Sequence, residues 1–312
     1  FTGSIGYNGI TVVVIPIVTY FSWVFTGELA ESQSGWTCFG IIVGLLGLLT
    51  AWTVAFGTKE NESALRSKAQ ENGNPIEAFK AIFQNDQLLW VALSYLLYAI
   101  ANVATTGVLI FLFKFILDNQ AAYSLTGVIA LVAGLVMAPL YPILNKRIPR
   151  RYLYIGGMIS MIAGYVMLGI FSDNIIMVFV ALVLFYVPGT LIQMTAILSL
   201  TDSIEYGQLK NGKRNEAVTL SVRPMLDKIA GACSNGIVGF IAVAAGMIGD
   251  ATAADMTAAN IGMFKVCAFY VPLGIIVLSL LVFLFKVKIT EKMHDEIVEE
   301  LEAKLASGEI SE

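Results

Sequence analysis

Apolar residues run through this chain in long, nearly uncharged blocks. Eight such runs stand out: 1–25, 36–57, 88–113, 123–144, 152–171, 175–200, 217–248 and 261–286. At about 1.5 Å rise per residue, each is long enough as a helix to cross a hydrocarbon core roughly 30 Å thick. The pattern therefore predicts transmembrane helices. The polar connections between them are short except for 58–87, which separates two spans from six. Within it, Ile76, Phe79, Ile82 and Phe83 recur at helical spacing, which predicts a short helix lying on the membrane surface. After the last run, Met293, Ile297, Leu301 and Leu305 recur every fourth residue among charges, predicting an amphipathic tail helix. The only histidine, His294, lies on that tail, where a solvated position is expected.

Composition supports the membrane assignment. Of the 312 residues, 57% are hydrophobic and 13% charged, with mean hydropathy +0.77. A soluble domain of this size needs about a quarter charged residues to cover its surface. The expected fold is an all-α integral membrane protein. Residues 1–57 form two spans, 58–87 a cytoplasmic linker, 88–286 a six-helix bundle and 287–312 a cytoplasmic tail. The chain begins at Phe1, with neither Met nor a signal-cleavage pattern, and is expected to lack an N-terminal part.

Charge gives the orientation. Alternate connections, 58–87, 145–151, 201–216 and the tail from 286, carry 15 Lys and Arg. The opposite set, 26–35, 114–122, 172–174 and 249–260, carries only Lys114 against Glu28, Glu31, Asp118, Asp173, Asp250 and Asp255. The positive-inside rule puts the first set and both chain ends in the cytoplasm of a plasma or inner membrane. Cys38, Cys233 and Cys267 lack metal or redox spacing and are expected as free, packed thiols. Small residues at Gly40 and Gly44, and from Gly231 to Gly236, predict close helix contacts.

Candidate chemistry lies in the polar residues inside the spans. A lysine at a helix centre costs roughly 2.5–3.5 kcal/mol unless it faces water or a partner. Lys228 lies fourteen residues beyond Arg214, about 20 Å along the helix. Ser221 and Asn235 share its face at minus and plus seven residues, which predicts a wet stripe. Arg223 and Asp227, four apart, predict a local salt bridge. Tyr95, Tyr98, Asn102 and Thr106 form a second stripe of hydroxyls, an amide and aromatic faces, suited to a polyol or to interhelical hydrogen bonds. The run 175–200 carries Tyr186 and Gln193 seven apart and contains "YVPG" at 186–189, which predicts an interrupted, kinked helix lining a cavity. No HExxH, GxSxG, Walker loop or metal-spaced cluster occurs, so the pattern favours moving a substrate over converting one.

The stretch "DSIEYGQLKNGKRNEA…SVRPMLDKIAG", together with "NDQLLWV" at 85–91, "RR" at 150–151 and "KMHDEIVEELEAK", resembles the glycoside–pentoside–hexuronide:cation symporters. The resemblance covers the whole chain and implies helices five to twelve of a twelve-helix major facilitator fold. It implies coupled uptake of a sugar, glycoside or sugar acid with Na⁺, H⁺ or Li⁺. The cation site is expected on helices outside this chain, with no cofactor and no metal bound here. Lys228 would lie between sugar and cation. Asp202, Glu205, Tyr206, Gly207, Arg214 and Glu216, with Arg150 and Arg151, would form a cytoplasmic gate in a loop after the tenth helix. Asp227 stands where the family pattern has an apolar residue. Expected partners are a small sugar, a monovalent cation and the bilayer, with no nucleic acid, and the functional unit is expected to be a monomer. Two competing readings are a lysolipid symporter of the same fold and a membrane sensor without transport.

Overall fold

The structure, a computed structural model, describes residues 2–29, 32–57, 80, 83–212, 216–249 and 251–307. The expected surface helix near residues 76–83 falls almost wholly outside these, as do Arg214 and the side chain of Leu305. Every described regular element is helical. Contacts divide the chain into two compact units, Phe1–Asn74 and Pro75–Glu312.

The first unit is a pair of helices, α1 (Thr2–Thr26) and α2 (Gln33–Gly57). They meet where Gly35 lies against Val18 and Ser22. A Cβ on Gly35 would come within 2.4 Å of the Val18 carbonyl, so only hydrogen fits. Small-residue contact was expected two turns further on. Gly40 and Gly44 instead meet nothing within 4 Å among the described residues.

The second unit holds α3 (Asp86–Phe111), α4 (Ser124–Asn145), α5 (Arg150–Ile170), α6 (Ile175–Asn211), α7 (Glu216–Ala244), α8 (Ala258–Lys265), α9 (Val271–Lys286) and α10 (Glu291–Ala306). One π-helical turn, Leu112–Ile116, extends α3, and another, Val266–Tyr270, joins α8 to α9 as a single span. Seven helices of the chain are long and apolar enough to cross a membrane, judged on the described residues; α1 coincides with the remaining expected span, 1–25. Helix α3 packs on α7 and α9, α5 on α6, and α4 on α6. The core between them holds Tyr98, Phe113, Tyr154, Tyr165, Phe185 and Phe269. The close approach on the α7 side is made by Gly107 of α3, where a Cβ would meet Val238 at 2.6 Å. Gly231 and Gly236 meet nothing within 4 Å among the described residues.

Two expectations about α6 are corrected. Its 37 residues form one helix through Pro188 and Gly189, so "YVPG" does not interrupt it. Residues 201–211 were expected as loop and are its last three turns. Asn174 starts the helix by accepting from the Ile176 and Met177 amides, and Gly212, at φ 70°, ends it. At about 1.5 Å per residue the helix is about 55 Å long, well beyond a 30 Å apolar core. The surplus explains how a charged segment stays helical: it leaves the membrane before it ends.

Candidate functional site

Two groups of polar side chains stand out, one at the charged end of α6 and one on α7. At the first, α6 presents Asp202, Glu205, Tyr206, Gly207 and Lys210 to the starts of α3, α5 and α10. Arg150, at the first turn of α5, joins two of these elements. Its guanidinium lies 2.7 Å from Asp202 and 3.2 Å from Glu291, and its backbone N–H donates to Glu291 at 2.6 Å. The Arg150 and Asp202 side chains are only 13% and 12% exposed, so this pair is largely shielded from water. Arg151 donates to the carbonyls of Leu284 and Val287, which α9 leaves unpaired at its C-terminus. On the α3 side, Tyr206 donates to Asp86 at 3.0 Å and Lys210 pairs with the same carboxylate. Glu216 is exposed at the first turn of α7.

Gly207 explains part of the "EYG" motif. A Cβ there would come within 2.6 Å of the Asn85 amide nitrogen. Asn85 uses that space twice over. Its amide donates to the Ser203 carbonyl at 2.7 Å, and its oxygen accepts from the Leu88 N–H at 3.0 Å, capping α3.

The tail helix completes the cluster. Ile297 and Leu301 are buried, and His294, expected in solvent, is only 23% exposed. Its Nε2 lies 3.9 Å from Asp202 and 3.6 Å from Glu205. The cause is packing: once the apolar stripe of α10 lies down, the residue beside Met293 must face α6. Burial would push the Glu291 carboxyl up, but the Arg150 N–H and guanidinium outweigh it and hold it below the usual range.

On α7, Ser221, Lys228 and Asn235 are exposed on the surface of the second unit. Buried Val222, Leu226 and Ala230 mark the face turned to α3. At about 100° per residue Lys228 points away from it. Its ammonium has no ion pair or hydrogen bond among the described residues, and Ser221 returns its hydroxyl to the Val218 carbonyl. Of the two uses expected for the tyrosine stripe, a polyol site or interhelical hydrogen bonds, both tyrosines make the second kind of contact. Tyr98 is 1% exposed, and its hydroxyl donates to the Gly189 carbonyl beside Gln193, so it bonds α3 to α6. Tyr95 is buried and donates to Asp227 at 2.7 Å. Asn102 and Thr106 are half-buried, the Thr106 hydroxyl turning back to the carbonyls of Asn102 and Val103. Tyr186 and Gln193 are half-buried on α6, the ring of Tyr186 edge-on to Phe185. All three cysteines are free, with Cys233 exposed rather than packed.

Sequence reasoning gave no role to Asn85, Asp86 or Glu291. A polar cap ahead of an apolar run was available as a signal for Asn85. Nothing local marks Asp86 and Glu291, whose partners lie 120 and 141 residues away.

Comparison with known proteins places this arrangement. The model of the MFS/sugar transport protein family matches residues 1–291. Similar proteins include a lactose permease of Leuconostoc lactis, 51% identical over 308 residues, covering 99% of this chain and 48% of the relative. A lactose permease of Lactobacillus helveticus is 45% identical over 310 residues, 99% and 48% of the two chains. A raffinose carrier protein of Pediococcus pentosaceus is 36% identical over 299 residues, 96% and 46%. The chain thus spans about half the length of these curated relatives. With a family match along nearly its whole length and helices fit to cross a bilayer, the chain is a multi-pass membrane protein that belongs to the MFS/sugar transport protein family.

Proposed function

We propose that the chain contributes helices five to twelve of a cation-coupled sugar symporter that works by alternating access. The observation that carries this reading is the likeness, across nearly all its residues, to carriers named for lactose and raffinose. Lys228 is the coupling residue. It is an exposed cation within a membrane span, and that placement is tolerable only beside water, substrate or a carboxylate. The Na⁺, H⁺ or Li⁺ site lies on helices other than these. The 202–216 segment, with Arg150 and Arg151, is the cytoplasmic gate, a role supported by how many charges meet there within reach of exchangeable partners. The membrane is the plasma membrane, with both chain ends in the cytoplasm and a monomer as the working unit.

The test is transport by the full-length protein in proteoliposomes. Lactose and raffinose accumulation is measured under Na⁺ and H⁺ gradients, for the natural protein and for Lys228→Ala. The natural protein is expected to accumulate sugar under one of the gradients. The variant is expected to exchange sugar without accumulating it. Undiminished accumulation by Lys228→Ala would remove the lysine from the mechanism. Failure of the natural protein to move either sugar, with flux of a lysophospholipid instead, would replace the sugar reading with the amphiphile one.

A further inference from the structure

Beside Lys228, on the next residue of α7, lies a carboxylate that the symport reading leaves without a role. Tyr95 donates to Asp227 Oδ1 at 2.7 Å, and the Arg223 side chain reaches the same phenol. Arg223 Nε stands 3.9 Å from Asp227 Oδ2, too far for a hydrogen bond. That Nε is buried and has no hydrogen-bond partner among the described residues. The pair is therefore aligned but not closed.

Its position makes this costly. Asp227 lies nine residues into the span that begins at Val218, about 14 Å along it. Its side chain is 43% exposed there. A carboxylate at that depth needs water or a ligand in front of it. One oxygen is already fixed by a phenol, which sets the orientation of the other. The open oxygen accepts, and the guanidinium donates. A sugar hydroxyl would donate to Oδ2 and accept from the exposed part of the Arg223 side chain, which is 33% exposed although its Nε is buried, over contacts of about 2.7–2.9 Å. A cation fits less well, because Arg223 and Lys228 already place two positive charges on this helix.

We infer that Asp227, oriented by Tyr95 and flanked by Arg223, forms a subsite that binds a hydroxyl of the sugar and helps to set sugar specificity. The inference rests on the symport reading above. Tyr95 acts as a positioning residue, and Asp227 and Arg223 as the contacts.

The experiment measures lactose exchange by the full-length protein, with equal sugar on both sides of the membrane and no ion gradient. Asp227→Asn keeps size and the acceptor for Tyr95 but loses the charge. It is expected to raise the half-saturating lactose concentration roughly tenfold or more while changing the maximal rate little. A set of monodeoxy-lactoses supplies the second arm. The natural protein is expected to reject one of them, and Asp227→Asn to lose that discrimination. Half-saturation equal to that of the natural protein, or discrimination retained against every analogue, would overturn the proposal and leave the pair structural. Tyr95→Phe decides the matter if Asp227→Asn does not reach the membrane: it should weaken half-saturation severalfold, and an unchanged value overturns the proposal. Absence of lactose and raffinose exchange by the natural protein would instead sink the sugar reading beneath it.

Discussion

Replacing Gly207 by alanine adds one methyl group, and the structure says what that methyl displaces. The new Cβ would lie 2.6 Å from the Asn85 amide nitrogen, closer than such atoms come, so Asn85 must leave. Its departure loses the N-cap of α3, worth about 1 kcal/mol. It also loses the buried hydrogen bond to the Ser203 carbonyl, worth about 1 kcal/mol net. Alanine favours a helix interior over glycine by roughly 0.5–1 kcal/mol, which offsets part of this. The net destabilisation is about 1–1.5 kcal/mol, or about 2–6 °C in apparent Tm for a unit of this size. The assay is thermal unfolding of the purified full-length protein in detergent, run as a double-mutant cycle with Asn85→Ala. Asn85→Ala alone should lose about 2 kcal/mol. Adding Gly207→Ala on that background should cost nothing and recover roughly 0.5–1 kcal/mol through helix propensity, because the displaced group is already gone. Equal losses from Gly207→Ala in both backgrounds would refute the reasoning, since the glycine would then matter for something other than Asn85.

Three further outcomes follow from the same contacts. Arg150→Gln removes the cation between Asp202 and Glu291 and should cost roughly 3 kcal/mol; limited proteolysis should then cut the tail at residues 287–291 well before the natural protein is cut. The Glu291 carboxyl is held below its ordinary value, so its contribution is full above the unfolded value near 4.5 and disappears as pH falls through the lower folded one. Protease access to the tail should therefore rise on acidification below about pH 4.5, and Glu291→Gln should show high access at every pH. In the buried node where Tyr154 meets Ser94, Ser94→Ala should destabilise more than Tyr154→Phe in the same melts. The first removes two buried hydrogen bonds, to the Tyr154 phenol and to the Ser279 carbonyl, at about 1 kcal/mol each, whereas the second leaves the Ser94–Ser279 bond in place.

The helices were legible because their signal is local. A run of twenty apolar residues needs no partner to be read, and each of the eight expected runs coincides with a described helix to within a few residues, the run 217–248 outlasting α7, which ends at Ala244. The charged segment at 202–210 was legible as a unit for the same reason, but not as helix. Its charges indicate that it lies in water, and they do not indicate that α6 continues into that water. The polar stripe of α3 was legible as a stripe only. Tyr95 and Tyr98 have the same spacing whether they face a cavity or a neighbour. The difference lies in α6 and α7, whose Gly189 carbonyl and Asp227 carboxylate take up the two hydroxyls. His294 failed in the same way: its surroundings are set by a docking event 89 residues from Glu205 in the chain.

This division of polar groups into satisfied and open ones is what separates scaffold from site. Lipid offers no hydrophobic gain for bringing helices together, so packing and interhelical hydrogen bonds must do it. Helices α3, α5 and α9 meet these terms twice. Tyr154 lies 2.9 Å from Ser94, which donates to the Ser279 carbonyl at 3.0 Å, while Ser279 donates to the Ser94 carbonyl at 2.7 Å. Eleven residues along α3, Thr105 lies 2.9 Å from the Tyr165 hydroxyl and within reach of the Ala268 carbonyl in the π turn. All these side chains are buried, so neither node is available to a substrate. Helix α7 differs. Its ionisable groups meet α3 at Tyr95, which donates to Asp227 and is reached by Arg223, while the Arg223 and Lys228 side chains are left partly or wholly exposed. Evenly spread polar groups would suit a rigid pore. A three-helix clamp beside one helix with unspent charge suits a carrier, in which a ligand can change what that helix bonds to without loosening the bundle that holds it.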